Sequence, residues 1–207
     1  VRISTVALFL GLGLASLVLA GPTARAADPA TQTIVLLRHG EKPPAGLGQL
    51  DCQGLNRALA LPPVLAERFG RPAAIFAPNP ARKVEDEGGA FDYVRPLATI
   101  EPTAIALGMP VDASVGFTDT DGLQRRLGEP HLHNALVFVA WEHLRIVQIA
   151  RSLLARHGGD ADAAPAWRDD DFDSIYVVRI VRTGDRVRAT FEHAHEGLNG
   201  QPRNCPG

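Results

Sequence analysis

Three short apolar runs constrain this chain most: 33–37 (TIVLL), 73–77 (AAIFA) and 135–141 (ALVFVAW). None alternates apolar with polar residues, so each reads as a strand covered on both faces. The segments between them supply the cover. Residues 51–69 have helical character, with Asp51 as N-cap, Leu55, Leu59 and Leu65 as apolar positions, and Pro62-Pro63 dividing or kinking the helix. Residues 95–107 form a second helix, with Pro96 in its first turn and Gly108 closing it. A third runs to about 127 from a cap at Thr120 or Asp121, and a fourth spans 143–157 with Leu144, Val147, Leu153 and Leu154 turned inward. MPV at 109–111 reads as a short strand, and the polar stretch 81–92 as a surface loop. The chain closes with a hairpin, SIYVVRIVR and RVRATFEHA around Thr183-Gly184-Asp185. Strand and helix in alternation, then a hairpin, predict an α/β fold. It is a three-layer α/β/α sandwich with a mostly parallel mixed sheet and an antiparallel edge.

The first 26 residues have another pattern. Arg2 precedes an apolar run over 6–20, and Ala24-Arg25-Ala26 matches a small-residue cleavage site. The run is shorter than the roughly 20 residues of a membrane span, so 1–26 reads as a signal peptide, leaving 27–207 as one domain with no stable membrane anchor. Cleavage removes Arg2 and Arg25 and takes the formal charge from −2 to −4. No basic stripe is present, which argues against a nucleic-acid partner. Export to a periplasm or the cell exterior permits Cys52 and Cys205 to pair and tie down a Pro- and Gly-rich tail.

The tripeptide Arg-His-Gly occurs twice, and position separates the copies. Arg156-His157-Gly158 ends a helix, where a cation meets the dipole and Gly158-Gly159 supplies the left-handed cap. Arg38-His39-Gly40 follows a buried strand, at the carboxyl end where open α/β sheets bind ligands. The run 135–141 likewise leads into Glu142-His143, and Arg95 opens a helix after another strand. If the two strands are neighbours, His39 and His143 meet at one sheet edge, with Arg38 and Arg95 beside them. Arginine pairs bidentately with phosphate, and a helix start favours an anion. An imidazole flanked by cations is a competent nucleophile at phosphorus without a metal.

On these residues the chain resembles the histidine phosphatase superfamily, also called phosphoglycerate mutase-like. The likeness rests on Leu37-Arg38-His39-Gly40-Glu41, Gly54, Arg57-Ala58, Arg95-x-x-x-Thr99 and the strand leading to His143. The resemblance implies that His39 is the nucleophile, that Arg38 and Arg95 clamp the phosphate beside Gly40, and that His143 bonds a phosphoryl oxygen. It implies no metal and no cofactor, and a small phosphorylated substrate. Three departures stand out. A long segment before Arg95 makes Arg82 a rival arginine, and Ala77-Pro78 stands where many relatives carry Ser-Pro. The proton donor is open: Leu144 follows the second histidine where some members carry an acid. Glu142 is the first candidate, and Asp119 and Asp121 are the next, each also a plausible helix cap.

The remaining polar residues have simpler readings. Glu41 and Lys42 either line the pocket rim or form a solvated loop pair. His193 and His195 share a strand face without a third ligand fixed by spacing, so they read as edge-strand residues. His131 and His133 flank a turn. Trp141 and Trp167 either line the pocket mouth or pack in the core or at the surface, the second being the simpler reading, and 168–171 (RDDD) is a solvated loop. The expected function is an exported, metal-independent phosphomonoesterase. The alternatives are a catalytically silent phosphate-binding relative and a mutase moving a phosphoryl group within a sugar or polyol.

Overall fold

The computed structural model describes Val1 and residues 29–207; apart from Val1, the expected leader 1–26 lies outside the described residues. The first strand, β1 (Ala30–Arg38), is followed by α1 (Cys52–Phe69), β2 (Ala74–Phe76), a small hairpin of β3 (Lys83–Asp86) and β4 (Gly89–Asp92), and α2 (Arg95–Leu107). Then come α3 (Thr120–Leu127), β5 (Leu136–Trp141), α4 (His143–Arg156), β6 (Ser174–Thr183) and β7 (Arg186–His195). The five-stranded sheet has the order β2-β5-β1-β6-β7. β5 runs parallel to both β1 and β2, while β6 runs antiparallel to β1 and to β7. Only β6 therefore opposes the other four strands.

The central strands sort their side chains by period two. On β1, Ile34 and Leu36 face a core with Leu123, Leu127, Ile146, Ile149 and Leu153 of α3 and α4. Val35 and Leu37 face the other core, with Leu61 and Leu65 of α1 and Ile100 and Ala104 of α2. This two-sided burial is why the apolar runs do not alternate.

Several local expectations change. Residues 81–92 form the β3–β4 hairpin rather than a loop, in register Lys83↔Asp92 to Asp86↔Gly89. α1 runs unbroken through Pro62 and Pro63; packing of Leu61 and Leu65 against the sheet holds an axis that two missing N–H groups would otherwise weaken. Residues 109–111 form no strand, and only a single bridge joins Phe76 to Asp112. α3 is capped by Asp119, which accepts from the Gly122 N–H, not by Thr120 or Asp121. Leu55, Leu59 and Leu144 are exposed. Cys52 and Cys205 are joined as a disulfide, and the Asn56 side-chain amide donates to the carbonyls of Pro202 and Asn204, fixing the tail on the start of α1.

Candidate functional site

β1 and β5 are parallel neighbours, and Arg38 is the register partner of Trp141. The His39 N–H continues the ladder by donating to the Trp141 carbonyl at 3.2 Å. His39 and His143 thus leave adjacent strands at the same sheet edge. α2 is aimed at this edge because the Val94 and Arg95 N–H groups both donate to the Gly48 carbonyl, at 2.8 and 3.0 Å. Arg38, His39 and Arg95 are each 3% exposed, an unusual burial for two arginines and an imidazole.

His39 Nδ1 lies 2.8 Å from the Gly40 carbonyl. A carbonyl can only accept, so Nδ1 carries the proton and Nε2 keeps its lone pair. Burial, with the charges of Arg38 and Arg95 adding to it, outweighs that hydrogen bond and lowers the His39 pKa to about 3. The imidazole is therefore neutral at any ordinary pH.

The cationic groups hold anionic or carbonyl oxygens of the protein itself. Arg38 donates from one terminal nitrogen to the carbonyls of Arg168, Asp169 and Asp171, at 3.4, 2.7 and 2.9 Å, and stacks 4.0 Å above the Phe172 ring. Arg95 pairs with Asp86 of β3 at 2.6 and 3.4 Å. His143 Nε2 lies 2.9 Å from Asp169 Oδ1. The run 168–171 is the largely exposed loop expected, and its carbonyls also make it a strap across the site. Phe172 also walls a cavity of about 400 Å³ with Glu41, Lys42 and Arg203.

Glu142 is corrected from its expected part as proton donor. Its carboxylate caps α4, accepting from the Leu144 and Arg145 N–H groups at 3.0 Å each, and sits 2.7 Å from His143 Nδ1. Burial opposes ionisation, but the His143 contact and the two N–H groups overcome it and hold the Glu142 pKa at about 2. A group ionised at neutral pH has no proton to give. Gly40 is also corrected: its N–H donates to Thr99 Oγ1 at 2.9 Å and is not free for a phosphate. Its glycine identity has another cause, since a Cβ there would come within 2.9 Å of the Gly54 carbonyl of α1.

Other candidates have other partners. Arg82 lines a separate cavity of about 500 Å³ with Asp119, Arg125 and Arg126. Asp121 faces Arg156 at 3.6 Å. His157 caps α4 at its far end, and His193 contacts Ser174 Oγ at 2.8 Å. Both carboxylate oxygens of Glu41 accept from Arg57, at 2.9 and 2.8 Å. Trp141 and Trp167 are buried.

Two site residues escaped the sequence reading. Asp86 lay in the presumed loop. Tyr93 is fully buried, edge-on to His39 with ring centroids 6.0 Å apart, and the Arg95 guanidinium carbon lies 4.9 Å over its ring. Its position two residues before Arg95 was the available signal. The Tyr93 hydroxyl, Arg38 Nε and Arg95 Nε are buried without a hydrogen-bond partner.

No family model matches the chain, and no curated protein sequence matches it. Solved structures do. A mycobacterial glucosyl-3-phosphoglycerate phosphatase in complex with inorganic phosphate is 15% identical, covering 78% of this chain and 95% of that one, with a TM-score of 0.53. A structure described as mycobacterial hydrolase 2 is 14% identical over 78% of this chain and 89% of its own, with a TM-score of 0.54. A candidate phosphohistidine phosphatase, SixA, from Nakamurella multipartitia is 16% identical over 80% and 98%, with a TM-score of 0.51. At such identities the likeness establishes the fold alone. That fold is the three-layer α/β/α sandwich expected from the order of strands and helices.

Proposed function

We propose that this chain is an exported phosphatase that hydrolyses small phosphorylated substrates through a phosphohistidine on His39. One observation carries the reading: a buried imidazole whose Nδ1 is taken up by the Gly40 carbonyl, leaving Nε2 as its free nitrogen, in the company of two buried arginines at the carboxyl end of adjacent parallel strands. The names of the similar structures, phosphatases for glucosyl-3-phosphoglycerate and phosphohistidine, support the reaction class. The leader-like segment and the Cys52–Cys205 bridge support export to an oxidising compartment.

On this reading, phosphate oxygens replace the strap carbonyls on Arg38 and the Asp169 carboxylate on His143. His39 Nε2 attacks phosphorus as the bond to the leaving oxygen breaks, and that oxygen takes a proton from water, because Glu142 is ionised. The hydroxide this leaves takes the proton of a second water as that water attacks phosphorus, the N–P bond breaks with its electrons returning to Nε2, and inorganic phosphate leaves with His39 neutral again. Arg38 and Arg95 supply the charge that a metal supplies elsewhere, and His143 adds a hydrogen bond. The test is phosphate release from an aryl phosphate in the presence of a chelator. Wild-type turnover with none in His39→Ala is expected; equal turnover in the two proteins removes the mechanism.

The ionised state of Glu142 favours one second reading, a phosphate-binding protein without turnover. Rapid acid quench after exposure to substrate separates the two, since only the enzyme accumulates phosphorus on His39.

A further inference from the structure

We infer that Tyr93 is a catalytic residue whose hydroxyl donates a hydrogen bond to a phosphoryl oxygen, tightening as charge moves onto that oxygen in the transition state. This rests on the phosphatase reading above and adds to it a residue that the motifs do not include.

Buried polar atoms are nearly always hydrogen-bonded, so an orphan calls for a physical reason. The Tyr93 side chain is fully buried, and its hydroxyl makes no well-formed hydrogen bond; the nearby Arg95 guanidinium can only donate to it, so the phenol proton has no acceptor. The residue is not loosely held. Its N–H donates to the Pro80 carbonyl at 2.8 Å, the next two N–H groups are pinned on Gly48, and its ring packs on Phe117 at 4.7 Å. A hydroxyl in so fixed a setting cannot turn away to find an acceptor. Its surroundings belong to the site. His39 meets the ring edge-on, Arg95 lies over the face, and the charges of Arg95, Glu142 and Arg38 all act on the phenol.

The company of orphans narrows the ligand. Arg38 Nε and Arg95 Nε are donors without acceptors in the same site. Two guanidinium N–H groups and a phenol O–H, on three side chains that neighbour His39, suit an acceptor with several oxygens, which a tetrahedral phosphoryl group provides. Burial raises the Tyr93 pKa, with Glu142 reinforcing the shift against Arg95 and Arg38. The phenol therefore keeps its proton and acts as a hydrogen-bond donor, not as the acid that protonates the leaving group.

Tyr93→Phe deletes one oxygen and preserves the ring. Two effects of opposite sign are expected. With phosphate absent, removing a buried, unpartnered hydroxyl leaves Tm unchanged or raises it by roughly 2–4 °C. At the same time kcat falls on the order of 10–100-fold, while KM moves less than about threefold. A tyrosine serving only the core would give the reverse: Tm falls and kcat stays within twofold, and either result overturns the assignment. If the wild-type protein releases no phosphate, the phosphatase reading fails, and calorimetry with inorganic phosphate still decides the matter. Weakening of phosphate binding by about fivefold or more in Tyr93→Phe supports the hydroxyl contact, and equal affinity removes it.

Discussion

Replacing Arg57 with methionine should destabilise the protein by about 3–5 kcal/mol, more at pH 9 than at pH 6. The guanidinium side chain is 1% exposed and ties three segments together. It donates to both oxygens of Glu41 at 2.9 and 2.8 Å, to Glu196 at 2.7 Å and to Asp173 at 3.5 Å. Charge-assisted hydrogen bonds of this kind are each worth roughly 1.5–3 kcal/mol, and removing one member of a buried ion pair leaves the others desolvated without compensation. Methionine fills similar space, so the loss is electrostatic and not a cavity. The pH dependence follows from Glu196. Burial pushes its pKa from 4.5 up to about 8, against the pull of Arg57. A carboxyl whose folded pKa is raised contributes stability that is full below pH 4.5 and is lost as pH rises through 8. Near pH 6 Glu196 is protonated and tolerates the loss of its cation, so Glu41 and Asp173 dominate the cost. At pH 9 wild-type Glu196 is ionised against Arg57, and the variant has no cation for it. Urea unfolding at both pH values gives the two differences. A loss under about 1 kcal/mol at both, or a larger loss at pH 6, would refute the reasoning.

Other perturbations test other parts of the argument. Cys205→Ser frees a bridge spanning 153 residues, and about 2–4 kcal/mol of stability should go with it; thermal melts with and without reductant check this, and a Tm insensitive to both counts against it. Glu142→Gln should flatten the acid limb of stability, because the wild-type carboxylate stabilises above pH 4.5 and that contribution fades as pH falls toward 2. After allowance for solvent screening the effect is about 2 kcal/mol, read from unfolding at pH 3 and pH 6. Asp169→Ala removes the carboxylate that holds His143 Nε2 and repels a phosphate; inorganic phosphate should bind several-fold tighter by calorimetry, and weaker binding contradicts the strap interpretation.

The parts of the fold that were legible are those where burial leaves a mark in consecutive residues. β1 and β5 are covered on both faces, so their apolar runs stand out, and α2 announces its limits with Pro96 and Gly108. The β3–β4 hairpin left no such mark because Lys83, Glu85, Gly89 and Ala90 are exposed on a sheet that covers no core, although Gly88 at φ +91° is the turn residue such a pair needs. His39 and His143 could be placed together because each follows a strand end. Asp86 could not, since nothing local says that it reaches Arg95. Glu142 was open to a better reading. An acid directly before a helix is a capping signal, and a carboxylate that accepts two N–H groups is held ionised rather than poised to give a proton.

The site's contacts also bear on how strongly a phosphate can bind. Every side chain expected to grip it already has an oxygen partner: strap carbonyls for Arg38, Asp86 for Arg95 and Asp169 for His143. Substrate binding is therefore an exchange, and its free energy is a difference between two sets of charge-assisted hydrogen bonds. The exchange is unequal among the partners. The Asp86 side chain is only 7% exposed and also accepts from the Gly48 N–H, so it orients Arg95 and stays. The Asp169 side chain is 93% exposed, so water readily replaces His143 as its partner when it leaves. The strap is thus the part that yields, and Arg95 keeps its direction while Arg38 and His143 change partners. A ligand that offers three oxygens to Arg38 Nε, Arg95 Nε and the Tyr93 hydroxyl gains contacts the strap does not make. That surplus, and not the cations alone, favours a tetrahedral anion over the protein's own carboxylate.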